Sequence, residues 1–354
     1  MSRYHPRRIA AALLVLCLSG LPLRPAFAQD AQPGDGVRGT VAAASPQGTI
    51  WADQWEALRA LFKEAGYGFD YLIRNELGGE EAIVSGLRRR RIELGGVSMA
   101  AAAQVAPAVS VLLTPYLFDG PAELDFVYER HAMPILEEIF AEKRLVLLGW
   151  GEVGQSHLYA QEPILLPRAA QGKRLRGPAN KPHQAFLDAI GADAAAVGIA
   201  DLVSALQTGL IDGGMANPMF HYALTKDHAP HYTLTKHIHD TSVVLANKRW
   251  FDGLPSTAQQ HLRSVFGDTA EARSAVRNAQ AEFLGLLAQE GIMIHQPDSE
   301  QLARWRLATE PVQTELANEL GAAAKRLLIA VRRGKAAFAE NADQPAPSAP
   351  SGDE

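Results

Sequence analysis

Two arginines separated by one leucine, Arg174-Leu175-Arg176, are the residues of this chain best suited to chemistry at an anion. On a strand, Arg174 and Arg176 project from one face and Leu175 from the other. A guanidinium meets a carboxylate through two parallel hydrogen bonds, so such a face suits recognition of an organic acid. The same spacing also suits a solvated surface strand, and by itself leaves both readings open. His237-Ile238-His239 puts two imidazoles on one strand face, with His221, His228 and His231 nearby. No acidic partner stands at ligand spacing on a helix and there is no H-E-x-x-H, so a metal is not expected. Residues 88–91 are four arginines in a row. They fall at a predicted helix end, where cations complement the dipole, and read as a solvated terminus. No G-x-S-x-G elbow, P-loop or strand-borne G-x-G-x-x-G occurs, and Leu77-Gly78-Gly79-Glu80 reads as a turn before a helix.

Hydrophobic periodicity gives the elements that must position these groups. Residues 37–43 read as a strand, followed by a turn and helix-start cluster over 45–49. Trp51, Trp55, Leu58, Leu61, Phe62 and Ala65 then recur at helical spacing, with Gly66 as a cap. Phe69, Tyr71 and Ile73 alternate as in a strand, residues 80–91 are helical, and 92–97 are strand-like. This order predicts an α/β sheet with parallel strands. Residues 113–118 form an apolar segment broken by Pro115, and a helix is expected over 121–142. Strands are expected at 145–148, 157–160 and 241–246, with helices at 183–190 and 201–207 closed by Gly191 and Gly209. Between residues 256 and 290 only Gly267 and Gly285 interrupt a helical pattern. At 1.5 Å per residue this is one helix of about 50 Å that packs on two domains, or two helices broken near Gly267.

The whole chain has 354 residues, 47% hydrophobic and 21% charged, with a formal net charge of −5. This composition suits one large or two medium globular domains. The acidic balance argues against nucleic acid as a partner. Arg3, Arg7 and Arg8 precede an uncharged apolar run over 9–18, and Ala26-Phe27-Ala28 is an A-x-A cleavage site. A cleaved secretory signal over 1–28 is expected, too short in its apolar part for a spanning helix. Its removal takes four arginines and Cys17, leaving 30 basic and 39 acidic residues, a net −9, and no cysteine to misoxidise. Residues 340–354 are rich in Pro, Ala, Ser and acid, and are expected to be disordered.

Five further pieces occur in one order. They are Glu76-Leu-Gly-Gly-Glu80 leading into residues 84–96, Leu113-Thr-Pro-Tyr-Leu-Phe118, residues 172–176 (GKRLR), residues 202–213 (LVSALQTGLIDG), and Lys248-Arg-Trp-Phe-Asp-Gly-Leu-Pro255. Together they resemble the solute-binding proteins of TRAP (tripartite ATP-independent periplasmic) transporters, over roughly residues 36–330. The resemblance implies an α/β fold of two lobes, with a long helix spanning both and a ligand cleft between them. The lobes would be residues 36–150 with about 241–270, and 151–240 with about 271–335. It implies a periplasmic, non-catalytic protein without cofactor that captures a small organic acid and hands it to TRAP membrane permease subunits. Arg176 would bind the ligand carboxylate, with Asn217, Ser156, Ser98 and Thr49 as further ligand contacts. The chain departs from the family in one place. Where many members carry a second arginine in a "G-F-R" piece, Gly154-Gln155-Ser156 stands here, which favours a monocarboxylate with an apolar or aromatic body. The same fold feeding a sensor or an ATP-driven importer, and a periplasmic α/β enzyme, are the alternatives. Ligand identity and oligomeric state are not legible.

Overall fold

The computed structural model describes residues 32–342. The secretory segment 1–28 with Cys17, and the tail beyond 342, lie outside the described residues. The first three residues of the expected tail, 340–342, are instead the end of a helix.

The chain begins as two strand–helix units. Strand β1 (Arg38–Ala43) leads to helix α1 (Ile50–Glu64), whose first turn is capped by the Thr49 hydroxyl. One stripe of α1 buries Ala52, Trp55 and Phe62. Strand β2 (Gly68–Leu72), helix α2 (Glu80–Arg89) and strand β3 (Leu94–Ser98) follow, with β1 lying parallel between β2 and β3. Helix α3 (Met99–Ala102) comes next. Then α4 (Pro121–Val127), one π-helical turn and α5 (Met133–Glu142) form the continuous helical stretch anticipated from the sequence.

Strand β4 (Leu145–Ala160) joins the two short strands expected at 145–148 and 157–160 into one of 16 residues. Glycines at 149, 151 and 154 disguise it, because they break the apolar run where the ladder bulges. The second half of the sheet contains β5 (Arg174–Arg176), α6 (Lys181–Ala189), β6 (Asp193–Ala195), α7 (Leu202–Gln207), β7 (Gly213–Ala216) and α8 (Pro218–Phe220). Strand β8 (His231–Asn247) then returns antiparallel along the whole of β4. At about 3.3 Å per residue these two strands each run about 50 Å and join the halves. The sheet order is β2-β1-β3-β8-β4-β7-β5-β6. The expectation of parallel strands therefore holds within each half, and the centre is antiparallel.

Helices α9 (Lys248–Asp252), α10 (Ser256–Gly267) and α11 (Ala270–Gln289) follow. Of the two readings of residues 256–290, the broken one is found, since the backbone leaves the helical region at Asp268. Helix α11 remains long, about 30 Å, and packs on α1 in one half and α8 in the other. Strand β9 (Met293–His295) adds to β8, and helices α12 (Ser299–Leu320) and α13 (Ala322–Ala342) complete the fold. Neither of these last helices was read from the sequence. They bury Trp305, Leu327 and Val331 against the two halves.

Each half is a sheet covered on both faces. Around β1 and β3, one core gathers Ile83, Leu87, Tyr128 and Leu147, the other Val41, Phe62, Leu262 and Phe266. Around β5 and β7, one core gathers Leu175, Phe186 and Trp305, the other Tyr159, Leu206 and Tyr232. The two glycines of β7 are required by close approach. A Cβ on Gly213 would sit 2.2 Å from the Tyr159 carbonyl oxygen, and one on Gly214 would sit 2.5 Å from that of Arg176. The Asp-Gly that ends the 202–213 sequence piece thus marks where β7 slides between β4 and β5. Among the described residues no helix is long and apolar enough to cross a membrane.

Candidate ligand-binding site

Arg176 closes β5 and is 9% exposed. Its Nε donates to the Val197 carbonyl oxygen at 3.3 Å, and its guanidinium lies 5.9 Å from the centre of the Phe220 ring. Among the described residues no carboxylate pairs with it. Burial lowers its pKa from the ordinary arginine value, with the Tyr159 hydroxyl opposing. A guanidinium nevertheless stays charged in a protein. The Tyr159 hydroxyl itself is buried without a hydrogen-bond partner. Arg174 has a different fate from its neighbour. Half exposed, it forms a two-pronged ion pair with Asp212, Nε to Oδ2 at 3.2 Å and Nη2 to Oδ1 at 2.9 Å. Of the two arginines that spacing makes equivalent, only Arg176 is without a carboxylate partner among the described residues. It lines a cavity of about 770 Å³ with Gly177, Asn180, Val197 and Leu316.

Asn217 follows β7 and brackets two elements. Its Oδ1 accepts from the Phe220 N–H at 2.9 Å, capping α8, and its Nδ2 donates to the Val153 carbonyl at 3.2 Å. Ser156, on β4 and 3% exposed, donates to Asp240 Oδ2 at 2.6 Å. The other Asp240 oxygen lies 3.2 Å from His183 Nε2, and His183 Nδ1 meets the Asn180 side chain at 2.6 Å. A chain of polar contacts therefore runs from β4 through β8 to the cap of α6, beside Arg176. Asp240 and His183 were not singled out in the sequence. The signal available was His183 at the start of a helix capped by Asn180.

Ser98 and Thr49 belong to the other half. The Ser98 hydroxyl caps α3 by accepting from Ala101 N–H at 3.1 Å, and donates to Glu80 Oε2 at 2.6 Å, while the Ser98 N–H donates to Glu80 Oε1. Burial raises the Glu80 pKa, opposed by these two bonds from Ser98. Thr49 caps α1 and donates to the Pro46 carbonyl at 2.7 Å. Ser98 and Glu80 line a second cavity of about 670 Å³, with Trp51, Trp150, Glu152 and Arg273. The Glu152 carboxyl is raised by burial and held by Arg277 at 2.6 Å.

The five sequence-derived residues are thus not drawn into one cavity. Ser98 lines the first-half cavity, Arg176 the second-half cavity, and Thr49, Ser156 and Asn217 line neither. What joins the two regions is β4. Glu152 and Val153 border the first cavity, the Val153 carbonyl holds Asn217, and Ser156 lies three residues on. His237 and His239, separated by Ile238, have separate partners. His237 stacks on Phe186 at 4.0 Å and bonds to Thr235, while His239 meets Gln155. Among the described residues no group of three or more candidate ligands could hold a metal ion.

Comparison with known proteins adds to this geometry. The description "bacterial extracellular solute-binding protein, family 7" matches residues 43–320. The chain belongs to this solute-binding family. A C4-dicarboxylate-binding periplasmic protein of Rhodobacter capsulatus is 24% identical over 253 residues, 67% of this chain and 76% of that one. The ectoine-binding periplasmic protein of Halomonas elongata is 26% identical over 243 residues, 67% and 69% of the two chains. A TRAP periplasmic solute-binding protein of Ochrobactrum anthropi, crystallised with its C-terminus in its ligand pocket, shares the fold. Its TM-score is 0.79 at 21% identity, over 88% of this chain and 100% of that one. In this family 7 protein, as in that structure, the fold is two-lobed.

Proposed function

We propose that this protein is the periplasmic substrate-binding subunit of a TRAP transporter. It captures a small organic acid by closing two lobes on it, and delivers the acid to the membrane permease. The lobes are residues 36–150 with about 241–270, and 151–240 with about 271–335, hinged on β4 and β8. Residues 1–28 direct export and are cleaved off after Ala28. The protein is not an enzyme; its polar groups orient a ligand.

The observation that carries this reading is Arg176, a buried guanidinium with no carboxylate among the described residues to neutralise it. A charge taken out of water is costly unless it is paired. A ligand carboxylate supplies the missing partner through charge-assisted bonds. Ser156 and Ser98 each give their one proton to a carboxylate of the protein, which leaves their oxygens as acceptors toward a ligand hydroxyl or amine. Asn217 fixes the wall of the cleft between β7 and β4, and Thr49 fixes the start of α1. The ligand is a monocarboxylate. At the place of the family's second arginine stand Ser156 and, bonded to it, Asp240, which repels a second carboxylate.

A thermal-shift screen of the exported chain against mono- and dicarboxylates, sugar acids and amino acids tests this. A ligand that binds only the folded state raises the melting temperature by mass action. The expected hit is a monocarboxylate whose shift is lost in Arg176→Ala. A neutral compound whose shift survives that substitution overturns the carboxylate reading, and a dicarboxylate hit overturns the role given to Asp240.

A further inference from the structure

Residues 88–91, four consecutive arginines, are all exposed where α2 ends and the chain turns into β3. Arg90 takes a left-handed conformation (φ 57°), so the run crosses the edge of the sheet instead of continuing along one helix face. Hydrogen bonds gather other cations to the same edge. Asn247, the last residue of β8, donates to the Glu93 carbonyl at 2.8 Å, and Lys248 donates to that of Arg144, just before β4, at 3.0 Å. The Trp250 ring N–H donates to the Arg38 carbonyl at the start of β1, at 2.9 Å. Four strand ends therefore meet here, and bring Arg38, Lys143, Arg144, Lys248 and Arg249 beside the run. These nine cations outnumber the acids of the edge, which are Asp35, Glu64, Glu93, Glu142 and Asp252. Glu93 is engaged by the Thr40 N–H and Asp252 by Lys248. Among the described residues, none of Arg38, Arg88, Arg89, Arg90, Arg91, Lys143, Arg144 or Arg249 has a carboxylate within ion-pair distance.

This pole is out of character with a chain of net charge −5. It also lies at the opposite end of β3 from Ser98 and the first cavity. An exposed edge of unpaired guanidiniums lines neither cavity, but it meets many phosphates at once, each in the two-pronged geometry that arginine favours. We propose that this arginine pole docks on an anionic phospholipid surface, holding the protein by one end. Clustered cations near such a surface contribute roughly fivefold in partitioning each, and screening confines the attraction to about 10 Å at moderate salt.

The test is co-flotation of the exported protein with vesicles of phosphatidylglycerol and phosphatidylcholine, against vesicles of phosphatidylcholine alone. The protein is expected to float with the anionic vesicles at low salt, to ignore the neutral ones, and to be released at high salt. The triple variant Arg88→Gln, Arg89→Gln, Arg91→Gln keeps Arg90 at the helix end and is expected to lower partitioning about a hundredfold. A second variant, Lys143→Gln, Arg144→Gln, Arg249→Gln, leaves α2 untouched and is expected to give a similar loss. The same charge change in the other half, Arg168→Gln, Lys173→Gln, Arg304→Gln, is expected to stay within about twofold, because it lies beyond the screening distance. Absence of wild-type flotation overturns the proposal. So does equal loss in all three variants, which would make net charge the cause. Retention on soluble heparin without vesicle binding overturns it in favour of a soluble polyanion.

Discussion

Two buried arginines, one on each side of β4, have opposite surroundings. Arg273, on α11 and 2% exposed, is neutralised on every side. Its Nε meets Asp125 at 3.1 Å, its Nη2 meets Glu129 at 2.5 Å, its Nη1 donates to the Thr269 hydroxyl, and its plane stacks 4.2 Å from the Trp150 ring centre. Arg277 extends this network to Glu152 and again to Asp125. Arg176 is nearly as buried and has one carbonyl and one ring face. The first arrangement ties α11 to α4 and β4 and is complete without a ligand. The second is incomplete. Burial is common to both, so burial alone does not mark a site. The absence of a counter-charge does.

Stability and affinity should therefore separate. The largest effect on stability is expected for Arg273→Met, which leaves Glu129 unpaired and Asp125 half-paired. Glu129 is half exposed and Asp125 keeps Arg277, so urea unfolding should show a loss of about 2–3 kcal/mol, with the lost bond to Thr269 and the lost packing on Trp150 contributing. Arg176→Met removes a charge that the empty protein does not neutralise. Its unliganded stability should be unchanged or higher, while titration calorimetry should show carboxylate affinity weakened by about 2–4 kcal/mol. If Arg176→Met destabilises the empty protein as much as Arg273→Met, the contrast fails.

Smaller effects sharpen the picture on the Arg176 side. Ser156→Ala leaves one oxygen of Asp240 without its donor, and should cost about 2 kcal/mol in thermal unfolding. The buried imidazoles of His157 and His221 are pushed by burial down to about 3 from the ordinary 6.5. Between these values the unfolded chain binds more protons than the folded one. The stability they contribute is present above pH 6.5 and falls as pH drops toward about 3, by about 1.4 kcal/mol per pH unit for each. His157→Asn, which keeps an acceptor for the Lys236 N–H, should flatten that slope by about one proton in acid titrations. The smallest change is expected from Thr49→Ala, about 1 kcal/mol for a lost helix cap. It should leave affinity untouched, since the Thr49 hydroxyl is engaged by the Ala52 N–H and the Pro46 carbonyl.

Much of the local structure was legible. The strand at 37–43, the helix carrying Trp55 and Phe62, and the helix ends at Gly66 and Gly209 follow from periodicity and from the left-handed backbone that glycine adopts cheaply. Elements whose stability comes from distant partners were harder to read. Strand β4 hid behind its glycines, and β8 hid behind the polar stretch from His231 to Asp240, because their ladder is with each other. Of the last two helices, α12 shows a weak amphipathic stripe and buries Trp305 in one half and Ala317 in the other, while α13 buries Leu327 and Val331 against the first half.

The sequence by itself determined the order of elements, most of the caps, and that Arg174 and Arg176 stand on one strand. It could not choose between them, because type and spacing treat them alike. Tertiary structure made the choice by bringing Asp212, 38 residues away, onto Arg174 and, among the described residues, nothing acidic onto Arg176. Helix caps and turns are settled by neighbours a few residues apart, whereas the neutralisation of a buried charge depends on which distant segments the sheet brings together.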